Sequence, residues 1–192
     1  MQEPSLASPE TRLPPAALAQ ALLIAVIWGF NFVVIKIGVA GVPPLFLAML
    51  RFVFCVFPAI FFVRKPDAPW LGLAGYGIFL GVVEFGFLFT ALHLGAPAGL
   101  SSLILQSQAF MTALIAAIVL RETIRGRNIA GMVIAGLGLA LIMAGRQGTV
   151  SGSTRLTVPL FLMLMAAALG WAVANIIARA MPKAGGLALT VW

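Results

Sequence analysis

The chain is poor in the residues that most catalysis and soluble folding depend on. Of its 192 residues only five are Asp or Glu and one is His. That scarcity removes the His and carboxylate clusters that hold catalytic metals. The sequence also carries no serine nucleophile elbow and no phosphate-cradling glycine loop after a strand. Gly136-Leu137-Gly138 lies inside an apolar run and does not qualify. Cys55 is the single cysteine, and one thiol makes neither an intrachain disulfide nor a Cys-based zinc site. No enzyme, cofactor or resident metal is expected from these residues. Charged residues make up 9% of the chain, against about a quarter in soluble domains. Hydrophobic residues make up 62%, which fits a segmented membrane protein in a lipid bilayer.

A net charge of +7 would suggest a nucleic-acid partner in a soluble chain. Here the basic residues sit mostly in short loops between apolar runs, so they read as topology signals, and no nucleic acid is expected. Residues 1–15, with four prolines and mixed charge, read as a disordered tail. The tail lacks the basic region and small-residue cleavage site of a signal peptide, so the first apolar run is expected to remain as a membrane helix.

Six apolar runs follow, at residues 16–38, 45–63, 70–92, 96–120, 129–144 and 157–177, and 185–192 reads as the opening of a seventh. Each full run approaches the ~20 residues that a helix needs to cross a ~30 Å hydrocarbon core. The expected fold is an all-α polytopic membrane protein, with about six helices in this chain. The expected units are the tail, a five-helix repeat at 16–145, a Gly/Ser-rich linker at 146–156 and the start of a second repeat at 157–192. With a cytoplasmic N-terminus, the inner loops hold Arg64, Lys65, Arg121, Arg125, Arg127 and Lys183, and the outer loops hold only Arg146 and Arg155. That bias favours this orientation. Trp28 and Lys36 are matched by Trp171 and Arg179 at a constant offset of 143 residues. Five helices separate the copies, and an odd number inverts the second, as in many secondary transporters. Gly77 with Gly81, Gly131 with Ala135, and Ala166 with Gly170 and Ala174 have the spacing of close helix contacts.

The fourth run, although long enough to span, carries Ser101, Ser102, Gln106, Ser107, Gln108 and Thr112. On a continuous helix Ser101, Gln108 and Thr112 fall within roughly 40° of one another, a stripe that lipid cannot satisfy. Such a stripe either ties helices together or lines a wet cavity. In the outer half of the membrane, Arg51 and Glu84 lie roughly 10–12 Å below the outer ends of their helices. Trp28 and Asn31 on the first helix, and Gln106 and Gln108 on the fourth, fall at a similar depth. A charge at the bilayer centre costs at least ~2.5–3.5 kcal/mol, so Arg51 and Glu84 are expected to face inward and pair with each other or with polar neighbours. Arg51 has the planar fork that holds a carboxylate. Glu84 suits a substrate ammonium, or a coupling role with protons as the ion. Trp28 offers an aromatic face to a cation. A fixed Arg–Glu bridge that only orders the bundle is the structural alternative. Lys36 lies near the outer surface and is expected to snorkel. Glu122, among arginines, reads as a helix-end charge.

Trp28-Gly29-Phe30-Asn31-Phe32-Val33-Val34-Ile35-Lys36 resembles the first-helix signature of the EamA branch of the drug/metabolite transporter superfamily. Pro43-Pro44-Leu45 with Leu50-Arg51-Phe52 resembles its second-helix opening. Pro97 to Leu103 and Gln106-Ser107-Gln108-Ala109-Phe110 resemble its fourth helix, most of all that of bacterial O-acetylserine and cysteine exporters. Leu120-Arg121-Glu122 and Gly131 fit the junction that follows. The resemblance implies ten helices in two inverted five-helix repeats, a central cavity and alternating-access efflux of amino acids or related small metabolites across the bacterial inner membrane. On that comparison the chain corresponds to the first repeat and the beginning of the second, and so to part of a longer protein. A permease for another small metabolite or a cationic drug, and a non-transporting membrane scaffold, are the alternatives.

Overall fold

The computed structural model describes residues 14–145, 156–181 and 183–192. The expected tail therefore lies outside the described residues up to residue 13, and the expected linker does so up to residue 155. Every element among the described residues is helical. Helices α1 (Pro15–Gly41) and α2 (Pro44–Val56) each start on a proline, whose missing N–H falls where a first helical turn has no acceptor for it. A 3-10 turn (Ala59–Phe61) closes the second span beyond Pro58, which cannot continue an α-helical ladder. The third span consists of α3 (Trp70–Gly77), a π-helical segment (Ile78–Glu84) and α4 (Phe85–His93). The fourth consists of α5 (Ala98–Leu105) and α6 (Gln108–Val119). The fifth is α7 (Gly126–Gly145), the sixth is α8 (Val158–Arg179), and α9 (Gly186–Val191) opens where a seventh run was expected. Among the described residues six helices are long and apolar enough to cross a membrane, and the chain is a multi-pass membrane protein.

Helix α8 is the centre of the bundle, packing against α3, the π segment, α4, α5 and α6. Its composition explains that position. Ala167, Ala168, Gly170, Ala172 and Ala174 are all buried. Small side chains let several helix backbones approach closely, which in lipid is what drives association. Of the three small-residue spacings expected to do this, the one on α8 does so at Gly170. An added Cβ on Gly81 would lie 3.7 Å from the Phe52 ring, an ordinary contact, whereas one on Gly77 or Gly131 would meet nothing within 4 Å. Helix α7 has no buried residue, and it touches the core only through the partly buried Leu139, Ile142 and Met143. Its glycines therefore do not mark a tight interface with the described residues.

The fourth span also departs from expectation. It is not one continuous helix, because the backbone tightens to i→i−3 hydrogen bonds at Gln106, Ser107 and Ala109, breaking the span at 106–107. Ser101 and Ser102 hydrogen-bond back to the carbonyls of Pro97 and Gly99, a local use of hydroxyls that bends helices. The expected stripe is thus divided. Ser101 is fully buried and satisfied within its own turn. Gln108 and Thr112 form a tie to the sixth span: Asn175 Nδ2 donates to Gln108 Oε1 at 2.9 Å and to Thr112 Oγ1 at 3.3 Å. Gln108, Thr112 and Asn175 thus hold two spans together, one of the two roles open to the stripe, while Ser101 stays within its own helix.

Lys36 does not snorkel. Its ammonium donates to the carbonyls of Leu92 (3.0 Å) and Ala96 (2.9 Å), capping the end of the third span. Beside it, His93 Nδ1–H donates to Val39 O at 2.7 Å, lacing the same two helix ends in the other direction. Unpaired helix-end carbonyls are costly at membrane depth, and a charged donor is worth about 1.5–3 kcal/mol. Lys36→Met is therefore expected to cost about 2 kcal/mol, read as a lower unfolding midpoint of the detergent-solubilised protein, and Lys36→Arg to recover part of it. Asn175→Leu is expected to cost about 0.6–1.7 kcal/mol in the same measurement by unpairing Gln108, with little further loss when Gln108→Leu is added.

Candidate functional site

Three spans bring their least lipid-compatible groups to one cavity of about 300 Å³, with Trp28 and Asn31 from α1, Arg51 from α2 and Glu84 from the end of the π segment. Tyr76, Thr190 and Trp171 complete the polar and aromatic part of its wall. Of the side chains expected at a common level, Trp28, Asn31, Arg51 and Glu84 line this one cavity. The fourth span contributes only Leu105.

Arg51 is oriented by two contacts. Its Nη1 donates to Asn31 Oδ1 at 3.0 Å, and its guanidinium carbon lies 4.8 Å above the centroid of Phe85. Asn31 and Phe85 belong to different spans, so the cation is fixed by α1 and α4 while its remaining N–H donors stay available. Phe85 is in turn held edge-on between Phe52 and Phe89, at centroid distances of 5.3 Å and 5.7 Å.

Glu84 is placed differently. The residue is 4% exposed, and its Oε2 has no hydrogen-bond partner. The Arg51–Glu84 bridge, the structural alternative, is not formed; the ion pair among the described residues is Arg179 with Glu122, at 3.1 Å on the surface. Glu122 is thus engaged by α8 and is more than a loose helix-end charge. An Arg and a Glu line one small cavity, farther apart than ion-pair distance. A buried carboxyl oxygen left without a hydrogen-bond partner is costly.

Two tryptophans form the partition of the site. Trp28 and Trp171, the pair related by the 143-residue offset, meet with ring centroids 5.0 Å apart and planes tilted by 38°. Both rings also wall a second cavity of about 340 Å³, lined by Gly29, Phe32, Ser102 and Gln106. Gln106, expected beside Arg51 and Glu84, therefore faces the neighbouring chamber. A larger void of about 510 Å³ lies between α2, α3 and α9, but its lining of Leu45, Phe52, Leu73, Leu189 and similar residues supplies almost nothing to orient a polar ligand. It shares Phe52, Tyr76, Leu80 and Thr190 with the charged cavity.

Sequence reasoning missed Tyr76, Thr190 and Asn175. Asn175 was open to detection, as an amide in an apolar run four residues beyond the matched Trp171. Thr190 gave no signal, since a threonine hydroxyl in a span is ordinarily satisfied by its own helix, here by Gly186 O, and Tyr76 gave none because a lone tyrosine reads as an aromatic packing residue.

The profile of the EamA-like transporter family matches residues 16–144. A "Probable amino-acid metabolite efflux pump" of Salmonella typhimurium (strain LT2) is 44% identical over 177 residues, covering 90% of this chain and 58% of that protein. The protein of the same name from Escherichia coli (strain K12) is 44% identical over 156 residues, covering 81% of this chain and 51% of its own length. An uncharacterised inner membrane transporter of Escherichia coli (strain K12) is 30% identical over 135 residues, covering 67% of this chain and 43% of that protein. The chain spans about half the length of the curated relatives it matches. No solved structure matches it. With most of its residues inside the family profile and its apolar helices gathered around a polar cavity, the chain belongs to the EamA-like transporter family.

Proposed function

We propose that the whole protein exports amino acids or related small metabolites across the bacterial inner membrane by alternating access, with its N-terminus in the cytoplasm. The observation that carries this reading is the buried, unpartnered carboxylate of Glu84 in the same cavity as Arg51, with no ion pair between them. An α-amino acid presents an ammonium and a carboxylate a few ångströms apart. Bound between the two residues, it gives Glu84 a cation and Arg51 a bidentate anion, and so supplies a partner to each. Asn31 and Phe85 aim Arg51, and Trp28 and Trp171 close the side of the chamber and offer aromatic faces to the ammonium.

The two relatives at 44% identity are named as probable amino-acid metabolite efflux pumps, which agrees with this chemistry. The chain is read as the first of two inverted five-helix repeats (16–145), with the second beginning at 157–192. The meeting of Trp28 with Trp171 supports that symmetry. Ser101, Gln108 and Thr112 take structural roles, and Gln106 belongs to the second chamber. Drive comes from the membrane potential or a proton gradient, where one charge moved through 100 mV is worth about 2.3 kcal/mol. Glu84 is the coupling candidate, because a carboxylate can exchange a substrate ammonium for a proton. A second reading, export of a small organic cation, is favoured by Glu84 and the aromatic walls alone and has no need of Arg51.

The test is efflux of cysteine-pathway metabolites and other amino acids from cells expressing the full reading frame, with and without a proton uncoupler. Arg51→Leu and Glu84→Leu are each expected to lower export at least roughly tenfold, about 1.4 kcal/mol or more of lost substrate interaction, while membrane insertion is kept. Export that persists in the double variant would sink the proposal. Loss in Glu84→Leu with full activity in Arg51→Leu would favour the organic cation.

A further inference from the structure

The carboxylate that faces the cavity is aimed there by a turn that is not α-helical. The π segment Ile78–Glu84 closes i→i+5 rings between two α-helical stretches, and Glu84 is its last residue. A wide turn carries one extra residue, so everything beyond it is rotated relative to α3. Returning it to an α-helix would swing Glu84 by about 100° off its present direction. Wide turns of this kind are rare and need support from a neighbour.

That neighbour is Gly170, which is buried on the central helix. A Cβ there would lie 2.8 Å from Val83 Cγ1, 3.0 Å from Phe79 O and 3.1 Å from Glu84 N. Phe79 and Glu84 are five residues apart, the donor–acceptor spacing of the π turn itself. The glycine thus lies directly on the backbone groups that define the turn. The other tight glycines differ, since Gly38 and Gly72 are approached by the ends of Leu47 and Met181, flexible side chains that can move aside. The residue after Gly170 is Trp171, whose ring stacks on Trp28, so one step of α8 sets both the turn and the partition.

We propose that Gly170 is a positioning residue for the cavity, its bare Cα seating α8 on the π segment and thereby holding Glu84 toward the chamber it shares with Arg51. The inference deepens the proposed function by adding the group that orients one of its substrate contacts. Its test reads the direction of position 84 and does not depend on what is carried.

In the full-length protein, with Cys55→Ser and any remaining cysteines replaced, Glu84→Cys is labelled by a small cationic methanethiosulfonate with and without Gly170→Ala. Asn31→Cys, on a different wall of the same cavity, is labelled in parallel. Gly170→Ala is expected to slow labelling at position 84 by roughly tenfold, equivalent to about 1.4 kcal/mol against the accessible conformer, and to leave position 31 unchanged. Adding Val83→Ala, which removes the nearest obstructing atom, is expected to restore part of the rate at position 84. An unchanged rate at position 84 overturns the proposal. So does equal slowing at both positions, which would mean that Gly170 holds the bundle as a whole. If export of amino acids fails while the labelling pattern appears, the functional reading falls and the positioning role stands.

Discussion

The arrangement on which the site depends is a carboxylate kept inside a membrane bundle without a partner. Lipid offers no hydrogen bonds, and each charge brought into it carries a penalty that water would otherwise remove. Most polar groups in these spans meet that constraint locally. Lys36 caps two carbonyls, Thr90 bonds back to Gly86 O, and Asn175 ties to Gln108 and Thr112. Against that background Glu84 is an exception in kind, since the bundle holds it in place without satisfying Oε2. Its neighbour Arg51 is the reverse case, a cation braced by Asn31 and Phe85 whose other donors remain open.

The rest of the bundle holds these two groups at one cavity, farther apart than ion-pair distance. Small residues on α8 allow the third, fourth and sixth spans to come close enough to exclude lipid from the interior. Large apolar side chains on α1 and α7 point outward, as surfaces facing hydrocarbon should. The aromatic cluster of Phe52, Phe85 and Phe89 then fixes the wall behind Arg51 with rigid rings that have little freedom to lose.

Much of this was legible in the sequence, for physical reasons. Span number follows from run length against bilayer thickness, so six spans were found, although Pro58 shortens the second and Arg179 lies inside the sixth. Arg51, Glu84, Asn31 and Trp28 could be gathered because unwelcome groups in lipid turn inward at whatever depth they occur. The stripe on the fourth span failed because it assumed an unbroken helix, and the break at 106–107 separates Ser101 from Gln108. Lys36 was misread because a long cation near a helix end can reach water or carbonyls equally well, and only the position of Leu92 and Ala96 decides between them. The π turn left no trace in the periodicity of a run that is apolar on every side. Its one hint was the small-residue stripe on α8, where Gly170 faces it.

The two tryptophans have a geometric consequence for the chambers they separate. Since the same pair of rings bounds both spaces, a shift of either ring redraws the wall of each. Trp28 rides on α1 and Trp171 on α8, so a displacement of one helix against the other is felt on both sides of that wall at once.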